Sequence, residues 1–317
     1  MPLFVMAPGS VVIFPGADLT HCTTEHDLVE CRPVNCKAHI SFAVQTPSTT
    51  LGQSKIYTKQ FHTELLALGE IDGSQHWEDA VWLPVRRLDL KTNPIPRKKI
   101  SYQTNKEELF VLGWHRIVLF DTDIGRNAPL VFYDMNGGLQ QQDAALARSH
   151  FSFLETWKFK LDRHCKKSNT TGCLHLDKIG SQRMEMLGIR SRGRNKYHPP
   201  NITRPHIQIA NQSGDLDLYV VHHDHEKFQS KNIQILFEAI SKRMHAALPQ
   251  VMDRMKKELQ KVGVHEGVYS AGAANVLSRD LLVNNVGVSE SYQSPPHIDK
   301  NDIGWAFGFA CKCGPCH

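Results

Sequence analysis

The chain has 317 residues, of which 41% are hydrophobic and 22% charged, with a formal net charge of +5. These totals lie near those of an ordinary soluble protein and allow one large domain or two modest ones. They exclude a membrane-spanning helix, because no run of about 18 apolar residues occurs, and the mild positive charge permits a nucleic-acid partner without requiring one. The first residues carry neither a basic region nor a long apolar core, so no secretory signal is expected. The eight cysteines then read as reduced thiols or metal ligands, in a nuclear or cytoplasmic setting.

In chain order, Leu3-Phe4-Val5-Met6 reads as a short strand and Ala7-Pro8-Gly9-Ser10 as a turn. Val11-Val12-Ile13-Phe14 reads as a fully buried strand closed by Pro15-Gly16. Asp18-Leu19-Thr20-His21-Cys22 follows, and residues 39–45 form a further strand. Residues 46–100 are polar and turn-rich. A helix is expected over 57–69, where Phe61, Leu65, Leu66 and Leu68 cluster, while Trp77 to Leu83 stays open between strand and helix. Residues 93–100, opening Asn93-Pro94-Ile95-Pro96, are a linker by composition and divide the chain into segments 1–92 and 101–317.

The second segment opens with strands at 109–120 and 130–133, joined by a turn at 121–125 and closed by Asn136-Gly137-Gly138. Residues 142–168 carry an apolar stripe at helical spacing. His164, Cys165, Cys173 and His175 are zinc ligands by type but match no common finger spacing. Residues 183–206 are the most basic stretch and read as an irregular loop. Arg190, Arg192, Arg194 and Lys196 are its candidate phosphate contacts, with Tyr197 placed to stack on a base. A strand at 216–221 runs into His222-His223-Asp224-His225, consecutive residues that alternate faces and so read as a polar turn. A helix over 231–262 follows, kinked or restarted at Pro249.

The last informative stretch is Ser294-Pro295-Pro296-His297-Ile298-Asp299-Lys300-Asn301-Asp302, followed by Ile303-Gly304-Trp305-Ala306-Phe307-Gly308-Phe309. On a strand, residues two apart face the same way, so His297 and Asp299 can reach one metal ion. A His and a carboxylate at that spacing, with a distant second His, form the ligand set of the facial triad that holds non-haem Fe(II). The lead-in Asn284-Asn285-Val286-Gly287-Val288-Ser289 reads as turn-rich, and Trp305 to Phe309 as a strand with its large residues on one face.

This pattern resembles the fungal TET/JBP-like 2-oxoglutarate, Fe(II)-dependent oxygenases over roughly residues 265–310. The N-terminal Pro-Gly turn, apolar strand and Leu-x-His segment resemble the C-terminal half of the same fold, so the order of the halves is inverted. The resemblance implies an α+β fold: an incomplete or permuted double-stranded β-helix (jelly-roll) with buttressing helices. Segment 1–92 is then the C-terminal-half-like part, and 101–317 the N-terminal-half-like part, truncated after the His-x-Asp strand. It further implies Fe(II) held by His297, Asp299 and His21, and 2-oxoglutarate as co-substrate. A basic residue for the co-substrate carboxylate is expected among Arg32, Lys37 and His39, none of which matches the family pattern cleanly. The implied substrate is 5-methylcytosine in nucleic acid.

Two other classes compete. One is a non-enzymatic remnant of such an oxygenase, binding nucleic acid or nothing. The other is a module stabilised by zinc on Cys311, Cys313, Cys316 and His317, although the adjacency of the last two strains that geometry.

Overall fold

A computed structural model describes residues 2–3, 9–23, 40–46, 55–86, 110–111, 115–124, 128–139, 183–190, 201–203, 234–261, 285–290 and 294–310. In chain order the elements are β1 (Pro2–Leu3), β2 (Val11–Phe14), β3 (His21–Thr23), β4 (Ile40–Val44), α1 (Lys55–His76) and β5 (Val81–Val85). Next come β6 (Phe110–Val111), β7 (Arg116–Asp121), β8 (Pro129–Asp134), β9 (Arg183–Arg190) and β10 (Asn201–Thr203). The chain continues through α2 (Gln234–Ala247), α3 (Pro249–Lys261), β11 (Asn285–Glu290), β12 (Ser294–His297) and β13 (Ala306–Ala310). Among the described residues no helix is long and apolar enough to cross a membrane.

Nine strands form one mixed sheet in the order β10-β9-β11-β4-β13-β2-β8-β7-β5. Only the β5–β7 pairing within it is parallel. Strands from both sides of residues 93–100 are woven into this sheet, so segments 1–92 and 101–317 share it. β3 and β12 form a separate antiparallel pair. Going inward from the two ends of the chain, β2 pairs with β13, β3 with β12 and β4 with β11. These three pairings nest, like the two legs of a single antiparallel ribbon whose middle rung lies off the main sheet.

One face of the sheet carries the core. Phe307 and Phe309 of β13, two apart and therefore on one side, are buried and stacked with ring centroids 6.1 Å apart. Val11, Ile13, Val44, Val118 and Phe132 extend that apolar face, and α1, α2 and α3 cover it with Phe61, Leu65, Ile240, Met244, Val251 and Met255. A smaller cluster of Ile117, Leu119 and Tyr133 lies apart from this core. Trp305 sits under α1 and donates its indole N–H to the Leu65 carbonyl at 2.9 Å. The fit is close at Gly69, where a Cβ would lie 2.5 Å from the Trp305 ring.

Several expectations change. The helix expected over 57–69 runs from Lys55 to His76. Gly69 and Gly73 resemble stop signals, yet they make room for Trp305 and Phe132, and tertiary packing outweighs their poor helix propensity. Trp77 is a buried turn residue, and the strand after it is Val81–Val85. Of the two outcomes expected at Pro249 over 231–262, the structure has the restart: Pro249 opens a second helix at the first-turn position where its missing N–H costs nothing. Residues 183–190 are a strand, not part of an irregular basic loop, because Arg183–Arg190 is paired on both sides, with β10 and β11. The turn-rich lead-in is strand β11, fixed by partners β4 and β9 despite its Asn and Gly residues. The linker 93–100, the helix over 142–168, the His164–His175 cluster, the strand at 216–221, His222 to His225 and the terminal Cys311–His317 group lie outside the described residues.

Asp72 ties α1 to α3. It is fully buried, and its carboxylate accepts the Gln250 N–H at 3.1 Å and the Val251 N–H at 3.0 Å. It thus supplies from another helix the acceptor that a capping residue normally provides at a helix N-terminus. Burial pushes its carboxyl up from the ordinary value, against the two amide hydrogen bonds. Asp72→Ala is expected to destabilise the fold by about 1–2 kcal/mol, from buried amides left without an acceptor. Asp72→Asn, which keeps one acceptor and removes the buried charge, should cost less. Equilibrium urea unfolding of the two variants checks the order.

Candidate metal centre

The site is built by pairing a short strand near one end of the chain with one near the other. β3 and β12 run antiparallel with His21 directly opposite His297. Side chains directly opposite in such a pair share a face and lie within contact distance. The two imidazole rings are accordingly 4.3 Å apart between centroids. Phe14 packs against the ring of His21 at 4.6 Å.

Asp299 arrives differently from the expectation. β12 ends at His297, so Asp299 is not on the strand and its direction does not come from strand alternation. It lies in the turn that follows, held by its N–H donating to the Gly16 carbonyl at 3.0 Å and by its carbonyl accepting the Asp302 N–H at 2.8 Å. The turn brings Asp299 Oδ2 to 3.2 Å from His21 Nε2 and 3.9 Å from His297 Nε2. One donor atom from each of His21, His297 and Asp299 lies within 4.8 Å of the other two, and all three side chains are partly buried.

The surroundings orient these groups. His21 Nδ1 lies 3.1 Å from the Leu19 carbonyl. A carbonyl only accepts, so Nδ1 donates to it, and Nε2 is the nitrogen aimed at the carboxylate, where it can carry a second proton or a metal ion, as in metal-bound histidines whose other nitrogen is held by the backbone. Gln45, next after the last residue of β4, donates its amide N–H to Asp299 Oδ2 at 2.7 Å. Burial pushes the Asp299 carboxyl up. The hydrogen bond and charge of His21, the charge of His297 and the Gln45 hydrogen bond outweigh it and hold the carboxyl below its ordinary value. Two imidazoles aimed at one carboxylate make a place that either a shared proton or a cation can fill. Cys22 follows His21 on the strand and so faces the other way, and burial pushes its thiol up.

The structure therefore brings His21, His297 and Asp299 together. Arg32, Lys37 and His39, the expected co-substrate contacts, lie outside the described residues, as do Arg192, Arg194 and Lys196. Arg190 is the last residue of β9, opposite Asn201. Sequence reasoning missed Gln45, whose only signal is a polar residue at the end of an apolar strand. No family model matches the chain, and no match was found among curated proteins or among solved structures.

A carboxylate whose folded-state pKa is depressed adds stability above its unfolded pKa and loses it as pH falls through the folded value. Metal-free protein should therefore lose part of its stability on acidification through the carboxylate range, and Asp299→Asn should lose less over the same interval. Urea midpoints measured across that range check the sign. Equal slopes in the two proteins would exclude the ionised Asp299 described above.

Proposed function

We propose that the chain is an Fe(II)- and 2-oxoglutarate-dependent oxygenase of the kind its His-x-Asp segment resembles, acting on 5-methylcytosine in nucleic acid. The observation that carries this reading is the convergence of His21 with His297 and Asp299 across the β3–β12 pair.

The donor set fits the metal. Two imidazoles and one carboxylate are the side chains of the facial triad. Neighbouring donors in an octahedron with bonds of about 2.1 Å are about 3 Å apart. The His21–Asp299 separation of 3.2 Å is close to that edge, and the His297–Asp299 separation of 3.9 Å needs to shorten by less than the reach of one side-chain rotation. The nested pairings of β2, β3 and β4 with β13, β12 and β11 form an antiparallel ribbon, the element from which a permuted double-stranded β-helix would be wound; the described strands form one nine-stranded sheet and two two-stranded pairs.

Each residue has a defined part. His21 presents Nε2 because Leu19 holds its other nitrogen. His297 faces it from the opposite strand. Asp299 is kept ionised, as a ligand must be, and Gln45 holds the carboxylate by one of its oxygens. Fe(II), when bound, would supply the oxidising chemistry with O2 as the oxidant and 2-oxoglutarate as the two-electron reductant, one oxygen atom going to succinate and the other to the C–H bond attacked. Arg32, Lys37 and His39, which precede β4 in the sequence, are the proposed contacts for the co-substrate carboxylate. Arg190, Arg192, Arg194 and Lys196 are the proposed phosphate contacts. A methyl group on a base inside a duplex is out of reach until the nucleotide is turned out of the stack.

The test is to load purified protein with Fe(II) under anaerobic conditions, then admit O2 and follow 2-oxoglutarate conversion to succinate with methylated duplex DNA. One iron per chain and succinate formation are expected, with turnover at least about 100-fold lower in His297→Ala and Asp299→Ala. Turnover without oxidation of the methylated base would overturn the substrate half of the proposal. Absence of stoichiometric iron would overturn the whole. Zinc that is lost on Cys313→Ser would favour the zinc-stabilised module instead.

A further inference from the structure

His62, on α1, is held at both ring nitrogens. The Gly304 N–H donates to Nδ1 at 2.9 Å, and Nε2 lies 2.9 Å from Asp18 Oδ2. A ring nitrogen that accepts from an amide carries no proton, so the proton is on Nε2 and is donated to Asp18. The two residues joined in this way belong to the loop that leads into His21 and the loop that carries Asp299.

On one side, Asp18 and Leu19 both donate their N–H groups to the Pro15 carbonyl, at 3.0 and 3.1 Å. This tight turn presents the Leu19 carbonyl to His21 Nδ1. On the other side, the Asp299 turn closes on Asp302, and the Ile303 N–H donates to the Thr46 carbonyl at 2.9 Å. Gly304 follows at φ +67, and a Cβ there would lie 2.6 Å from Leu65 Cδ1. Both loops therefore press on the same stretch of α1, and His62 is the side chain that bonds to each.

We propose that His62 is a positioning residue for the metal centre: it pins the His21 loop and the Asp299 loop to one helix and so sets the separation of their donor atoms. This rests on the metal reading of the site. A partly exposed His–Asp contact is worth little to global stability, so its effect is read in the metal site.

Co(II) is the probe, because its visible absorption bands report coordination directly. Wild-type protein is expected to bind one Co(II) with a defined spectrum. His62→Leu, which loses both bonds, should bind it about 10–100-fold more weakly with altered bands, the usual range when a ligand's supporting partner is removed. His62→Asn retains the acceptor toward Gly304 and His62→Gln the donor toward Asp18, and each should fall between. Asp18→Ala leaves the helix untouched and should reproduce the loss, whereas Asp18→Asn, which still accepts, should recover most of the affinity. Thermal unfolding of each metal-free variant checks that it folds.

A wild-type chain that binds no Co(II) overturns the metal reading and this inference with it. Wild-type binding with affinity and spectrum unchanged in folded His62→Leu and Asp18→Ala overturns this inference alone. A lowered melting temperature with an unaltered spectrum does the same.

Discussion

Everything about the site depends on one cross-strand register, His21 opposite His297. Because side chains alternate along a strand, a slip of one residue in that pair would place Cys22 or Pro296 on the ligand face and turn the imidazole away. The register is not set by the short pair alone. It is bracketed by the β2–β13 and β4–β11 ladders, in which the buried Val11, Ile13, Val44, Phe307 and Phe309 resist slippage. The middle rung inherits its alignment from the rungs on either side.

That arrangement accounts for the weight of apolar packing around so small a site. Trp305, Phe307 and Phe309 anchor β13 under α1, while Val11 and Ile13 anchor β2 against the same helices. Asp72 and the Trp77 indole, which donates to the Ala247 carbonyl at 2.9 Å, bind the helices to one another. The helical layer is a platform against which both ligand loops are seated. Rigid elements position donor atoms more closely than loops do, and here the loops gain rigidity by contact.

Part of this was legible in the sequence. The His-x-Asp spacing, the apolar run Val11 to Phe14 and the aromatic alternation at 305–309 each carry a local pattern with a physical reason, and each pointed to the right neighbourhood. The pairing of His21 with residues near the other end of the chain carries no local pattern. It was reached only through resemblance to a family whose halves appear here in inverted order. Asp299 was placed on a strand because the spacing argument needs only period two, whereas a turn delivers it. Gln45 and His62 left no readable signal, since a polar residue at a strand end or on a helix flank is ordinary. The helix boundary failed at Gly69, which reads as a stop but makes room for Trp305. β11 failed because two neighbouring strands supply the order its composition lacks.

The central claim is that one iron is held by imidazoles and a carboxylate drawn from distant parts of the chain. X-ray absorption on the Fe(II)-loaded protein tests it most directly. The account predicts a single six-coordinate site of nitrogen and oxygen donors at about 2.1 Å, with the scattering signature of two imidazoles that falls to one in His21→Ala. Sulfur in the coordination shell, or an imidazole signal that does not change when His21 is removed, would contradict it.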